Sequence, residues 1–161
     1  MTIVLKLSSL IAIFHKLLIQ QERNMAELIL SLIIWIGANS EYQVDFPQPI
    51  VVMTTQHNMC QLFGIDDMFR CDVSGLKGFY NEDLTIYLGT DFDSTNPHHV
   101  SRLLHELVHY VQYKNDVGQG MCRGNLEVEA YDIQDAWRAD KGLEPILADF
   151  NRIMLEANCS A

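Results

Sequence analysis

The segment LLHELVHYVQ, at residues 103–112, constrains the fold of this chain more than any other stretch. His105 and His109 are four residues apart, one turn of a helix, so a helix places both imidazole rings on one face. Leucines and valines surround the two histidines, which predicts that this helix is buried. Because buried histidines need polar partners, the rest of the chain has to supply hydrogen bonds to these rings.

The chain has 161 residues, enough for one domain with a substantial core. Apolar residues make up 48% and charged residues 20% of the sequence, which is typical of a globular protein. The 11 basic and 21 acidic residues give a formal net charge of −10. Such a surface repels phosphate backbones and anionic lipid, so the composition argues against a nucleic-acid partner.

Residues 1–24 are apolar but fit an export signal poorly, because His15 and Lys16 interrupt the apolar stretch and no small-residue cleavage site follows. The stretch is also too short and too broken to predict a transmembrane segment. Its leucines and isoleucines recur at helical spacing, which predicts an N-terminal amphipathic extension before a domain at residues 25–161. Export to the periplasm or to the outside of the cell stays open.

The four cysteines at positions 60, 71, 122 and 159 include no CxxC pair. This spacing argues against a zinc ribbon and against a thioredoxin-type redox site. Two disulfide bonds and four buried thiols both fit the sequence, and four cysteines allow three pairings.

The remaining patterns predict a mixed α+β domain. Apolar periodicity, proline and glycine predict helices at residues 25–38, 55–63, 97–114, 125–141 and 145–157. A short strand is predicted at residues 50–53, and the β-rich runs at residues 77–80 and 84–88 flank Asn-Glu-Asp, which predicts a hairpin. We therefore expect helices packed on a short, mostly antiparallel sheet.

The spacing of His105 and His109 lets two imidazole nitrogens point at one metal ion, and zinc needs nitrogen ligands at about 2.0–2.1 Å. Glu106 is rotated by about 100° from His105 on a helix, so it can reach a water molecule on the metal without binding the metal itself. Zinc lowers the pKa of its bound water to about 7, and a carboxylate can take the proton as the water attacks a carbonyl. The alternative is that these are two core histidines with hydrogen-bond partners.

A catalytic zinc ion usually has three protein ligands and one open position. Gln112 and Asn115 stand where the metzincin pattern requires glycine and histidine, which excludes that class. Glu127 and Glu129 both flank the apolar stripe of the next predicted helix, so the residues themselves leave both open as the third ligand. Cys122 is a further candidate, as a metal ligand or as half of a disulfide bond.

These motifs resemble those of the gluzincin metallopeptidases, in which HExxH on one helix is completed by a glutamate on the next. The run that starts at Glu127 resembles the E-x-x-A-D/N run of small integral-membrane and regulator-cleaving gluzincins, whereas the run from Glu129 is similar to that of thermolysin and the aminopeptidases. The size of the chain and the continuation Ala130-Tyr131-x-x-Gln134 favour the compact relatives. The resemblance therefore implies His105, His109 and Glu127 as the zinc ligands.

Residues 25–142 also resemble small, mostly uncharacterised bacterial zincin-like domains. The run GFYNEDLTIYLG is similar to the hairpin before the active-site helix of zincins, whose outer strand pairs with an extended substrate. This likeness implies that Gly78, Phe79 and Tyr80 bind a peptide or protein substrate. The resemblance as a whole implies a zincin-like fold and a zinc (Zn2+) metallopeptidase with Glu106 as the catalytic base. The alternative is a catalytically inactive, zinc-containing peptide-binding module.

Overall fold

The computed structural model describes residues 2–81, 83–118 and 120–159, with side chains described from residue 13 onward. Within these ranges the chain has six helices and three strands, which confirms the α+β class. In chain order they are α1 (Thr2–Ala38), β1 (Ile50–Thr54), α2 (Gln56–Leu62), α3 (Met68–Ser74), β2 (Gly78–Tyr80), β3 (Thr85–Gly89), α4 (Pro97–Lys114), α5 (Arg123–Asp140) and α6 (Asp149–Ala157).

The sheet has the strand order β1-β3-β2 and is mixed. The predicted hairpin is present, since β2 pairs with β3 in antiparallel orientation over three residue pairs. However, β1 runs parallel to β3 over five residue pairs, so the expectation of a mostly antiparallel sheet is wrong. The reason is that β1 reaches β3 by a crossover through α2, α3 and β2, and no local pattern reveals such a pairing. As a result, β2 lies at one edge of the sheet.

Helix α4 is the centre of the core. Its start is fixed by Asn96, whose side chain accepts a hydrogen bond from the backbone N–H of His98, and by Pro97 in the first turn. The helix packs against α1, α5 and both strands of the hairpin. Its fully buried apolar side chains are Leu103, Leu104, Leu107, Val108 and Val111. The predicted bounds of this helix, residues 97–114, are confirmed.

Helix α1 is continuous from Thr2 to Ala38, so the predicted domain boundary at residue 25 falls inside a helix. Among the side chains of α1 that the structure describes, from residue 13 onward, Ile29, Leu32, Ile33 and Ile36 are buried and join the core. All side chains of residues 13–24 are exposed. The division into an extension and a domain therefore stays a prediction, although packing begins near the expected position. In the part of the chain that the structure describes, no helix combines the length and the apolar composition needed to cross a membrane.

Two helices differ from the sequence-based expectation. The sequence patterns do not predict helix α3, although Asp67 caps this helix by accepting a hydrogen bond from the N–H of Arg70. The last helix begins at Asp149 rather than at residue 145. The reason is a distant contact, because the carboxylate of Asp135 accepts hydrogen bonds from the backbone N–H groups of Ile146 and Leu147 and holds that segment outside the helix.

The four cysteines form two disulfide bonds, which settles the alternative that the sequence leaves open. Cys60–Cys71 joins α2 to α3. Cys122–Cys159 joins the start of α5 to the residues that follow α6. Because Cys122 directly precedes α5, the second bond fixes the end of the helix that carries both glutamate candidates.

Gly124 is expected to be essential for the contact between α5 and α6. A Cβ atom at this position would overlap the backbone carbonyl oxygen of Leu155, whereas a Cβ atom at Gly118 would meet nothing within 4 Å. We expect Gly124→Ala to lower the free energy of unfolding by about 1–3 kcal/mol, the usual cost of overpacking. Urea unfolding measures this change. Gly118→Ala is the matched control, and equal stability of the two variants would contradict the predicted contact.

Candidate metal centre

The two motif histidines and one glutamate converge at a single point between α4 and α5. The Nε2 atoms of His105 and His109 lie 3.2 Å apart, and their rings are nearly perpendicular. The Oε2 atom of Glu127 lies 3.4 Å from each of these nitrogens. One ligand atom from each of the three residues lies within 4.8 Å of the others, as a metal site requires.

The tautomer of His105 is determined by Gln134 on α5. The side-chain nitrogen of Gln134 donates to the carbonyl oxygen and to the hydroxyl of Ser101, both at 2.9 Å. Its carbonyl oxygen is thereby turned towards the Nδ1 atom of His105, at 3.1 Å. Since an amide oxygen can only accept, Nδ1 carries the ring proton and Nε2 carries the lone pair.

Gln112 determines the tautomer of His109 in the same way. Its side-chain nitrogen donates to the carbonyl oxygen of Leu126 at 3.0 Å and to Oε2 of Glu129 at 2.9 Å. Its carbonyl oxygen lies 2.9 Å from Nδ1 of His109 and accepts a hydrogen bond from the proton on that nitrogen. Both imidazoles therefore direct an Nε2 lone pair at the carboxylate of Glu127, and three electron-rich atoms face one another.

The electrostatics of this group favour a positive charge at its centre. Burial lowers the pKa of His109, but in the protonated ring Nε2–H donates to Glu127, and this hydrogen bond and the charges of Glu106 and Glu127 outweigh burial, so the net shift is upward. Burial raises the pKa of Glu127, but the two histidines, when they are protonated, donate from Nε2 to its carboxylate and hold that pKa well below its usual range. The other oxygen of Glu127, Oε1, lies 4.0 Å from Nε of the exposed Arg123.

Glu106 is buried beside this group without belonging to it. Its side chain accepts a hydrogen bond from the backbone N–H of Tyr80, on the edge strand β2. Burial raises the pKa of Glu106 above its usual value, and the charges of His105 and His109 oppose this shift without cancelling it. A buried carboxyl group with a raised pKa is better able to accept and then return a proton than an exposed one.

A cleft of about 710 Å³ opens over these side chains. Gly78, Phe79 and Tyr80 all line it, so the structure brings the predicted substrate strand and the predicted ligands to the same cleft. Leu62 and Phe63, at the end of α2, form an apolar part of the wall together with Leu76 and Met121. The disulfide bond Cys60–Cys71 joins α2, the helix that ends at this wall, to α3.

The two other candidate ligands, Glu129 and Cys122, lie apart from the three converging atoms. Glu129 points away from them and accepts hydrogen bonds from Gln112 and from the hydroxyl of Tyr42. Cys122 is bonded to Cys159 and is not free to bind a metal. The ring of Tyr131 packs 4.5 Å, centre to centre, from that of His105.

Two residues with supporting roles, Tyr42 and Ser101, are not recognisable from the sequence. Tyr42 is separated from Glu129 by 87 residues, and Ser101 from Gln134 by 33 residues, so no local pattern connects either pair. For Ser101 a weak signal existed, because it lies four residues before His105, on the same side of a helix.

Comparison with protein families places this geometry in a wider group. Residues 21–161 match a family model described as "Domain of unknown function (DUF6647)". The chain belongs to the DUF6647 family. No curated protein and no solved structure matches it. Since the description of DUF6647 names no activity, the chemistry of the site has to be argued from its own side chains.

The burial of Glu106 predicts how the metal-free protein responds to pH. Its folded-state pKa lies above the unfolded value of about 4.3, so the folded chain retains a proton that the unfolded chain releases, and stability falls as pH rises through this window. The substitution Glu106→Gln removes this loss of stability at higher pH. We expect the variant to be more stable than the original protein, by a margin that grows as the pH rises above the unfolded-state pKa.

Urea unfolding at several pH values, in the presence of a chelator, measures this margin. The replacement of Glu144, which is exposed, by Gln is the control and should leave the curve unchanged. A margin that does not change with pH for Glu106→Gln would contradict the burial of this carboxyl group.

Proposed function

We propose that this protein is a zinc-dependent hydrolase, most specifically a metallopeptidase with a zincin-like, gluzincin-type active site. One observation carries the proposal: two Nε2 lone pairs and a carboxylate oxygen converge, while the opposite nitrogen of each ring is held by a glutamine. A histidine with its outer nitrogen hydrogen-bonded is the usual form of a metal ligand in proteins. Two merely structural histidines have no reason to bring their unprotonated nitrogens together.

The residues fit zinc better than calcium or magnesium. Two imidazole nitrogens and one carboxylate oxygen are the ligand set of catalytic zinc sites, whereas calcium and magnesium prefer oxygen ligands alone. His105, His109 and Glu127 would hold the ion and leave a further position open towards the cleft. When bound, zinc supplies Lewis acidity, which polarises a carbonyl group and lowers the pKa of a water molecule.

Glu106 is the residue that we assign to proton transfer. In the proposed reaction it takes a proton from the attacking water molecule and gives it to the leaving amine, so no net proton is gained or lost. Its buried position keeps bulk water away from the carboxyl group, and its raised pKa suits a group that must both accept and donate. The hydrogen bond from Tyr80 N–H holds the carboxyl group at the substrate strand.

A peptide is the substrate class that the cleft suits. Strand β2 lies at the sheet edge and lines the cleft, so its backbone can hydrogen-bond an extended chain by β-augmentation. The apolar wall formed by Leu62, Phe63 and Met121 offers a surface for uncharged side chains. The net charge of −10 disfavours a phosphate backbone.

We expect the purified protein to bind one zinc ion per chain. His105→Ala, His109→Ala and Glu127→Ala should each lose bound zinc on dialysis, because each removes one of three ligand atoms. Elemental analysis measures the zinc content. His57→Ala, which removes an exposed histidine at the start of α2, is the control and should retain zinc. Full zinc content in the His109→Ala protein would refute the assigned ligand set.

Glu106→Gln should retain zinc but reduce peptide cleavage by about 10²–10⁴-fold, the usual contribution of a general base. Digestion of a peptide library, followed by mass spectrometry with and without a chelator, measures this activity. Equal cleavage by the variant would exclude the assigned role of Glu106. Zinc-loaded protein that binds library peptides but cleaves none would instead support the non-catalytic peptide-binding module.

A further inference from the structure

Glu129 lies outside the three converging atoms but is linked to them through one side chain. Its Oε2 atom accepts a hydrogen bond from the side-chain nitrogen of Gln112 at 2.9 Å and another from the hydroxyl of Tyr42 at 2.5 Å. The carbonyl oxygen of Gln112 in turn faces Nδ1 of His109. A chain of hydrogen bonds thus runs from the segment after α1 to the imidazole of His109.

The direction of this chain depends on the orientation of one amide group. A glutamine side chain offers an acceptor at one end and donors at the other, and the two ends have nearly the same shape. Around Gln112, the carboxylate of Glu129 and the carbonyl of Leu126 are both acceptors, so the nitrogen has to point at them. The reverse orientation would place the amide oxygen against two acceptors and the amide nitrogen against His109.

Reversal of that amide would change the protonation pattern of His109. An amide nitrogen next to Nδ1 requires Nδ1 to accept, which moves the ring proton to Nε2. The Nε2 atom lies 3.4 Å from the carboxylate of Glu127 and 3.2 Å from Nε2 of His105. A proton there would occupy the lone pair that the proposed zinc ligand needs.

We propose that Glu129 is a positioning residue that sets the tautomer of His109 through Gln112, with Tyr42 holding Glu129 in place. The tautomer itself follows from hydrogen bonding alone, whereas its consequence for zinc affinity rests on the proposed function. Glu129, the rival candidate for third ligand, therefore acts on the site without touching the ion.

The two histidines differ in a way that makes this role testable. The amide of Gln134, which serves His105, is oriented by the backbone carbonyl and the hydroxyl of Ser101, both uncharged and both on α4. Only the amide that serves His109 is oriented by an anion from another helix. The loss of Glu129 should therefore disturb His109 and leave His105 as an internal reference.

The partners of Glu129 are suited to this task. Tyr42 is half-buried, and burial together with the hydrogen bond to Glu129 raises the pKa of its hydroxyl well above the usual value. Tyr42 therefore remains a donor at any pH at which the protein functions. With donors from Tyr42 and Gln112 on the same oxygen, Glu129 has no need of a metal ion to satisfy it.

The experiment compares Glu129→Met, which removes the acceptor at similar size, with Glu129→Gln, which retains an acceptor oxygen. Nitrogen NMR of labelled histidines, recorded on chelator-treated protein at a pH where both rings are neutral, reports which ring nitrogen carries the proton. We expect Nδ1–H for both histidines in the original protein. In Glu129→Met we expect a mixture for His109 alone and a zinc affinity about 10-fold to 100-fold lower.

Glu129→Gln should restore most of the Nδ1–H form, and Tyr42→Phe should shift His109 in the same direction as Glu129→Met but less. Glu144→Met is the control for the loss of an exposed carboxylate. An unshifted His105 signal shows that Glu129→Met remains folded. If His109 keeps its original tautomer in that protein, or if His105 changes to the same extent, the proposed role of Glu129 is wrong.

A failure of the proposed function would give a different experimental result from a failure of the proposed role of Glu129. If the original protein binds no zinc, the ligand assignment falls, while the tautomer of His109 and its dependence on Glu129 are still decided by the NMR signals.

Discussion

The hydrogen bonds from two glutamines to the outer nitrogens of His105 and His109 are the interaction on which the site depends. Each ring is largely buried, so its Nδ1–H group has to find an acceptor inside the protein. Gln112 and Gln134 provide it, and their own nitrogens are fixed by neighbouring acceptors. The direction of both Nε2 lone pairs follows from this arrangement. Without it, the two imidazoles would be free to share a proton or to turn apart.

The rest of the fold holds the two helices that carry these side chains. The core around α4 is assembled from α1, the hairpin and α5, so the histidines lie on the most enclosed helix of the described chain. Helix α5 brings Glu127 and Gln134 to that helix, and the bond between Cys122 and Cys159 holds its first turn against the end of α6. The bond between Cys60 and Cys71 joins α3 to α2, whose end contributes Leu62 and Phe63 to the apolar wall of the cleft.

Local patterns in the sequence predict part of this arrangement. The spacing of His105 and His109 and the cap at Asn96 predict the central helix and the shared direction of its rings. The choice between Glu127 and Glu129 is different, because both flank the same apolar stripe and their separation along the chain says nothing about which one meets the histidines. The parallel pairing of β1, the cap that Asp135 provides and the contact of Tyr42 with Glu129 all join distant residues. Such contacts depend on the packed fold, and a single sequence does not contain them in readable form.

The use of amides instead of carboxylates next to the histidines has an electrostatic consequence. Glu106 and Glu127 already place two carboxyl groups in a largely buried space, and each additional buried anion would cost several kcal/mol unless it were paired. A carboxylate in direct contact with His109 would add such a charge. Gln112 instead transmits the orientation while the charge of Glu129 lies one side chain further out, satisfied by donors from Tyr42 and Gln112. In the proposed zinc site, the charges of the ionised Glu106 and Glu127 side chains would balance the charge of a divalent cation, and a third carboxylate in contact with His109 would upset that balance.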